Sequence, residues 1–306
     1  MQRLQGKVAI VTGASRGIGV GIARMFADEG AAVTLAARTQ DRLESLASEI
    51  VGKGGNAIAV PTDVSCSEDL RRMVEATIER FGALDILVNN AAIASFSRHL
   101  DADDLEAEYD RLMDTNVKSV IMGTHWALPH LIARGGGSVI NISSVHGIAS
   151  GDHMSAYAAS KGALIAGTRA MAVELGRHRI RVNCISPGSI WLDDRPNWLE
   201  RRFGPELAAE FRERFPGWPD RQRELQQPLP IAGSAQDVAA CAVFLASDEG
   251  RFCTGANFVV DGGMTAVLAD PSFLYPGAAE VLQTRAEMRV WFEEARRRRE
   301  GQQESA

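Results

Sequence analysis

Tyr157-Ala158-Ala159-Ser160-Lys161 sets a phenol and an ammonium four residues apart. On a helix, positions i and i+4 share a face, so the two groups can meet. A free tyrosine has a pKa near 10, and lowering it by about 3 units takes about 4 kcal/mol of preference for the phenolate. A unit charge about 4 Å away supplies about 4 kcal/mol at an effective dielectric near 20. One well-placed lysine is therefore a perturbation of the size Tyr157 needs to exchange protons at neutrality. Upstream, Asn141-Ile142-Ser143-Ser144 ends on a hydroxyl that can donate to a carbonyl oxygen and polarise it. Asn116, in Asp114-Thr115-Asn116-Val117, lies in a helix-compatible stretch, an unfavourable place for an amide that nothing uses. Alone it reads as structural, and Tyr/Lys pairs also arise by chance on solvated helices.

A second constellation is Thr12-Gly13-Ala14-Ser15-Arg16-Gly17-Ile18-Gly19, between a short apolar run and a helical stretch. Glycines let backbone approach a pyrophosphate, and a helix N-terminus offers free N–H groups and the positive end of a dipole. The spacing is GxxxGxG, and a plain strand–helix turn is the alternative. In dinucleotide folds an acidic residue about 20 positions on grips the ribose 2′-OH of NAD. Here Leu35-Ala36-Ala37-Arg38 offers none, and Arg16 adds a second guanidinium. A 2′-phosphate is met well by guanidinium groups, so the expected cofactor is NADP, with NAD the other possibility. Arg38 could instead pair with Asp41 at a solvated helix start, where such pairs count for little.

These residues need a scaffold, and the chain's punctuation supplies one. Strand-like runs at Val8–Val11, Ala32–Ala36, Ala57–Val60, Ile86–Val88, Ser138–Ile142, Ile180–Ile185 and Phe258–Val260 alternate with helical stretches. The helical stretches carry Ile18, Ile22 and Phe26, then Leu43, Leu46 and Ile50, then Leu70, Val74, Ile78 and Phe81, with two more at about 155–177 and Asp237–Ala246. Continuous apolar strands fit a parallel sheet buried on both faces, so the expected class is α/β, a single Rossmann-like doubly wound sheet with helices on both faces. Ligands of such sheets sit beyond the carboxyl ends of the strands, where Ser144 falls.

Taken in order, Thr12-Gly13 with Gly17 and Gly19, Asp63-Val64, Asn89-Asn90-Ala91, Asn116, Ser144, Tyr157 with Lys161, Asn183, Pro187-Gly188 and Asp261-Gly262-Gly263 resemble the motifs of the classical short-chain dehydrogenases/reductases, over roughly residues 6 to 265. The resemblance implies Tyr157 as general acid/base, Lys161 lowering its pKa and holding the nicotinamide ribose, and Ser144 orienting the substrate oxygen. It implies that Asn116 positions a water of the proton relay. Asp63 and Val64 would border the adenine, Asn90 would support the cofactor ribose region, and Pro187, Gly188 and Ile190 would flank the nicotinamide. Hydride would then pass between the ring and a substrate carbon. Two positions depart from the family: Ala92 stands where Asn-Asn-Ala-Gly is usual, and Leu192 replaces a common threonine. The four-residue Tyr-to-Lys spacing argues against the enoyl reductases of this broad group.

The family implies that the insert at about 190–230 is a substrate lid. It holds Trp191, Trp198, Phe203, Phe211, Phe215 and Trp218, so a partly aromatic pocket is expected, and Pro205 could open a helix with Leu207, Phe211 and Phe215 on one stripe. Its arginines (Arg195, Arg201, Arg202, Arg212, Arg214, Arg221, Arg223) read as a solvated face balanced by glutamates or, second, as a lure for an acidic substrate. After a turn-rich connector at Pro271–Gly277, an amphipathic helix from about Ala278 would align Val281, Leu282, Met288, Trp291 and Phe292. The reading is of residues 1–268 as the dinucleotide-binding catalytic domain and 269–306 as a C-terminal extension covering a subunit boundary.

With 306 residues, 45% of them hydrophobic, the chain can bury a core without staples. A net charge of −6 argues against nucleic-acid or anionic-membrane partners. No apolar run approaches the length of a membrane span, and the N-terminus lacks the apolar stretch of a signal peptide. Cys66, Cys184, Cys241 and Cys253 are scattered, and His146 and His153, flanking Ser144 and Tyr157, lack metal spacing, so no metal is assigned. The expectation is a cytoplasmic, NADP-preferring oxidoreductase of an alcohol/ketone pair, a homotetramer or dimer. An NAD-dependent sugar or polyol dehydrogenase is the alternative, and an inactive dinucleotide-binding sensor or scaffold a remote one.

Overall fold

The computed structural model describes residues 2–94, 100, 103–151, 154–191, 198–217, 227–267 and 278–303. In chain order the first elements are β1 (Val8–Thr12), α1 (Gly17–Asp28), β2 (Ala32–Ala37), α2 (Gln40–Gly52), β3 (Asn56–Pro61), α3 (Ser67–Phe81) and β4 (Ile86–Asn89). There follow α4 (Leu105–Met113), a π turn at Asp114–Lys118, α5 (Ser119–Ala133), β5 (Gly137–Ile142), α6 (Ser155–Leu175) and β6 (Ile180–Pro187). The last are α7 (Trp198–Phe203), α8 (Pro205–Arg214), α9 (Ala235–Ala246), β7 (Asn257–Val260) and α10 (Ala278–Gln303).

The seven strands form one parallel sheet in the order β3-β2-β1-β4-β5-β6-β7. β1 shows why these strands lack polar alternation. Ala9 and Val11 enter a core shared with Ile22 and Phe26 of α1, Leu43 of α2 and Val243 of α9. Ile10 points the other way, into a core shared with Leu70 and Val74 of α3, Leu131 of α5 and Leu175 of α6. Successive side chains face opposite sides of a strand, and both sides here are covered by helices.

The chain builds β1, β2 and β3 outward to one edge, then returns to lay β4 on the other flank of β1. Strand order reverses between β1 and β4, the place where sheets of this kind receive ligands at their carboxyl ends. Between β4 and β5 the chain is helical through α4, the π turn and α5. α5 (SVIMGTHWALPHLIA) is apolar on nearly all sides and contains Pro129, so it carries no stripe for periodicity to detect.

Two compact units divide the chain: Met1–Ile190 with Ser234–Val260, and Trp191–Gly233 with Asp261–Ala306. The first holds the sheet. The second has its own small core of Leu199, Phe203, Phe211, Phe215, Met288, Trp291 and Ala295, so insert and tail pack together. Pro205 opens α8, as its fixed φ suits a first helical position. Trp291 meets Phe203 and Phe211 edge-on, and its Nε1 donates to Glu210 Oε1 at 2.8 Å. Phe203, Phe211 and Phe215, expected to line a pocket, are instead buried against the tail helix, because a short helix pair needs an apolar third partner to exclude water.

Candidate active site

Most residues singled out by sequence sit at the carboxyl ends of β1 to β6 or in the loops after them; Gly17, Ile18 and Gly19 begin α1, Asn116 lies in the π turn, and Tyr157 and Lys161 lie on α6. Gly13 and Gly17 are left-handed, at φ +70° and +59°. A Cβ at Gly13 would fall 2.7 Å from Asn90 Nδ2 and 2.9 Å from Ala91 Cα, and one at Gly19 would overlap the Gly13 carbonyl oxygen. Only glycine permits this closeness. Arg16 precedes α1 without a side-chain cap, and no acidic residue occupies the first turn of α1. α2 carries Asp41 and α3 carries Glu68 and Asp69 in the same place. The bare N–H groups of α1 therefore suit a pyrophosphate.

Asn90 braces this loop: its Nδ2 donates to Thr12 O at 2.7 Å, and its backbone N to Thr12 Oγ1 at 2.9 Å. The amide joins the carboxyl ends of β1 and β4 where the strand order reverses. Arg38 follows β2 directly, exposed like Arg16, and neither has an ion-pair partner among the described residues. The alternative pairing of Arg38 with Asp41 is not formed. After β3, Asp63 Oδ1 accepts from Ser65 N and Oγ, and Val64 is buried beside it. Pro187 ends β6, Gly188 N donates to Val260 O at 2.9 Å, and Ile190 packs on the core. Ser15 in the loop and Ile18 in the first turn of α1 are half-buried.

Ser144 follows β5 and begins a short helical turn, Val145–Gly147, with its Oγ accepting from His146 N at 3.2 Å. Tyr157 and Lys161 lie one turn apart on α6, with Lys161 Nζ 5.8 Å from the centre of the phenol ring. Lys161 is 2% exposed, and its Nζ donates to Ile142 O at 2.9 Å. Burial pulls the Lys161 ammonium down to about 8, against a smaller opposing pull from Cys184. The Cys184 thiol is itself pushed up to about 11 by burial and stays neutral.

Tyr157 departs from the simple expectation. Burial raises its pKa above the ordinary value, opposed by a hydrogen bond with the Ser144 side chain. Taking a phenolate out of water outweighs what the Ser144 bond returns, and the net direction is upward.

Asn116 lies in the π turn, 1% exposed. Its Oδ1 accepts from Ile93 N at 2.9 Å, and its Nδ2 donates to Ile93 O at 2.9 Å and to Ser160 Oγ at 3.1 Å. Both N–H donors are thus occupied by protein, and the amide clamps the loop after β4 to α6 where a contact with a relay water was expected. Ser160, unassigned between Tyr157 and Lys161, completes the clamp by donating to Tyr157 O at 2.8 Å. A further buried chain runs from Asn89 Nδ2 to Asn141 Oδ1 and from Asn141 Nδ2 to Thr168 Oγ1, each at 2.9 Å. Polar residues at apolar-core positions of strands were the signal for that chain. Leu192, His153, Arg195, Trp218, Arg221, Arg223 and the connector 271–277 lie outside the described residues.

A glycine loop braced at the reversal of a parallel sheet, with Ser144, Tyr157 and Lys161 at and beyond the carboxyl end of β5 and on α6, is the arrangement expected of a dinucleotide-dependent oxidoreductase. Comparisons agree. A family profile described as enoyl-(acyl carrier protein) reductase matches residues 13–265. L-fucose dehydrogenase of Bos taurus is 40% identical over 261 residues, covering 85% of this chain and 90% of the relative. (+)-Borneol dehydrogenase 2 of Salvia officinalis is 38% identical over 268 residues, covering 86% and 91%. Among solved structures, a 7α-hydroxysteroid dehydrogenase complexed with NADH and 7-oxo glycochenodeoxycholic acid superposes with a TM-score of 0.74 at 33% identity, covering 86% of this chain and 95% of that one.

The chain belongs to the short-chain dehydrogenase/reductase family. It is an NAD(P)-dependent oxidoreductase acting on the CH–OH/C=O pair. None of the described helices is long and apolar enough to cross a membrane.

Proposed function

We propose that the protein is an NADP-preferring oxidoreductase of an alcohol/ketone pair, working through Ser144, Tyr157 and Lys161 with Asn116 as a positioning residue. The observation that carries the cofactor preference is the pair of exposed guanidinium groups, Arg16 and Arg38, without an ion-pair partner among the described residues, where β2 ends without a carboxylate. Two such groups match a 2′-phosphate and nothing there prefers a 2′-hydroxyl. The α1 loop would hold the pyrophosphate, Asp63 and Val64 the adenine, and Lys161, Pro187, Gly188 and Ile190 the nicotinamide end. A nicotinamide held there would supply the hydride chemistry at the substrate carbon and, when oxidised, a positive charge.

Tyr157 takes the substrate's hydroxyl proton in oxidation and returns it in reduction. Ser144 holds the same oxygen, and its hydrogen bond with Tyr157 keeps both hydroxyls on one target. Lys161, fixed by the Ile142 carbonyl, keeps a donor under the pair. Substituting Arg38→Asp tests the preference: the Kd for NADPH should rise by at least about tenfold while that for NADH changes little, each loss of a charge-assisted bond being worth about 1.5–3 kcal/mol. Equal losses for both cofactors would refute it.

A second reading, an NAD-linked sugar or polyol dehydrogenase, is favoured by the identity to L-fucose dehydrogenases. Titration with both cofactors separates the two. The scattered cysteines support a cytoplasmic location, and the family resemblance supports a homotetramer or dimer, which light scattering would weigh.

A further inference from the structure

His146 is the residue beside the catalytic pair that this chemistry leaves unused. It lies two residues beyond Ser144, and its backbone N–H bonds the Ser144 hydroxyl oxygen at 3.2 Å. Its ring meets the Tyr157 ring edge-on, with centroids 5.9 Å apart and planes at 69°. It is thereby held against both groups that grip the reacting oxygen. The ring is half-buried, and its Nδ1 is fully buried with no hydrogen-bond partner among the described residues. Such an orphan is rare in a folded core and asks for an explanation.

Burial holds the imidazole below its ordinary pKa, so it is neutral at pH 7 and carries a single N–H. A proton on Nδ1 would bury an unmatched donor at a cost of about 1–3 kcal/mol. The bare lone pair is the cheaper state there, so the proton resides on Nε2. The ring, edge-on to Tyr157, therefore has one donor to offer, Nε2–H.

We propose that His146 binds substrate, donating from Nε2 to a second oxygen close to the reacting one, and so selects vicinal diols and α-hydroxy ketones over simple alcohols and ketones. This rests on Ser144 and Tyr157 holding the reacting oxygen as described above. A site that hydrogen-bonds a hydroxyl discriminates strongly against the analogue lacking it, because its own donor is then left unmatched.

The test compares kcat/KM with NADP+ for matched pairs: cyclohexane-1,2-diol against cyclohexanol, and an aldopyranose against its 2-deoxy counterpart. Wild type should favour the member with the second oxygen by about tenfold or more. His146→Phe keeps a ring against Tyr157 and should erase that preference by lowering kcat/KM for the diol at least about tenfold more than for the simple alcohol, whereas His146→Asn, with an amide N–H, should retain part of it. Equal rates for both members with wild type, a preference that survives in His146→Phe, or equal losses on both members would each overturn the assignment. Those results would leave the functional reading standing. Failure of wild type to turn over any alcohol or ketone would overturn the functional reading and the assignment together.

Discussion

Tyr157 and Lys161 are the residues on which the proposed mechanism depends, and their environments pull in different directions. Burial holds the phenol up and the ammonium down. Tyr157→Phe removes the proton carrier and keeps the ring, so kcat should fall by at least about 10²-fold with little change in the Kd for NADPH, read by fluorescence titration. Lys161 has a stability signature as well. Its pKa falls from 10.5 to about 8 on folding, so between those pH values the unfolded chain binds more protons than the folded one. Stability from this group is present above pH 10.5 and lost as pH falls through 8. At pH 7 the buried ammonium therefore costs roughly 3 kcal/mol. Lys161→Met should raise Tm at pH 7 while abolishing turnover, and its advantage should shrink as pH climbs from 8 toward 10.5. A Tm difference independent of pH would show that the lysine is not desolvated.

At the scale of elements, the site is held by amides that join one element to the next. Asn90 ties the loop after β4 to the end of β1, and Asn116 ties the same loop to α6 through Ile93 and Ser160. Asn116→Ala would leave the Ile93 N–H and C=O and the Ser160 hydroxyl without this partner, at about 1–3 kcal/mol for each buried group left unsatisfied. Urea denaturation should show a lower midpoint with an unchanged slope, and kcat should drop more than cofactor affinity, since α6 carries Tyr157. Asn116 was legible as a residue of interest because asparagine is out of place in a helix. Its job was not, because that depends on Ile93, 23 residues away along the chain, lying opposite it.

On the scale of the whole molecule, the sheet unit carries every residue proposed for cofactor and catalysis, and the second unit has a separate aromatic core around Trp291. Trp291 is fully buried, and its removal leaves a cavity whose cost is typically about 3–5 kcal/mol. Trp291→Ala should open the second unit to limited proteolysis at residues 191–233 and 261–303 while NADPH binding by the first unit persists. Loss of cofactor binding in that variant would show that the two units do not fold independently. The sequence reading treated insert and tail as separate additions. Their union was invisible because Phe211 and Trp291 are far apart in the chain, and only a folded structure shows that each fills the other's apolar face.

Local order was readable without coordinates: the alternation of apolar strands and striped helices, the glycine loop, and the one-turn spacing of Tyr157 and Lys161. Each depends on backbone geometry within a few residues, where side-chain type and period are decisive. Tertiary structure alone settled what burial does to charge, which carbonyl receives Lys161, which amides clamp the site, and that the ring of His146 lies against Tyr157 with a bare nitrogen. Desolvation and hydrogen-bond partnership are properties of what surrounds a group in space, and strand order, not chain order, decides those surroundings.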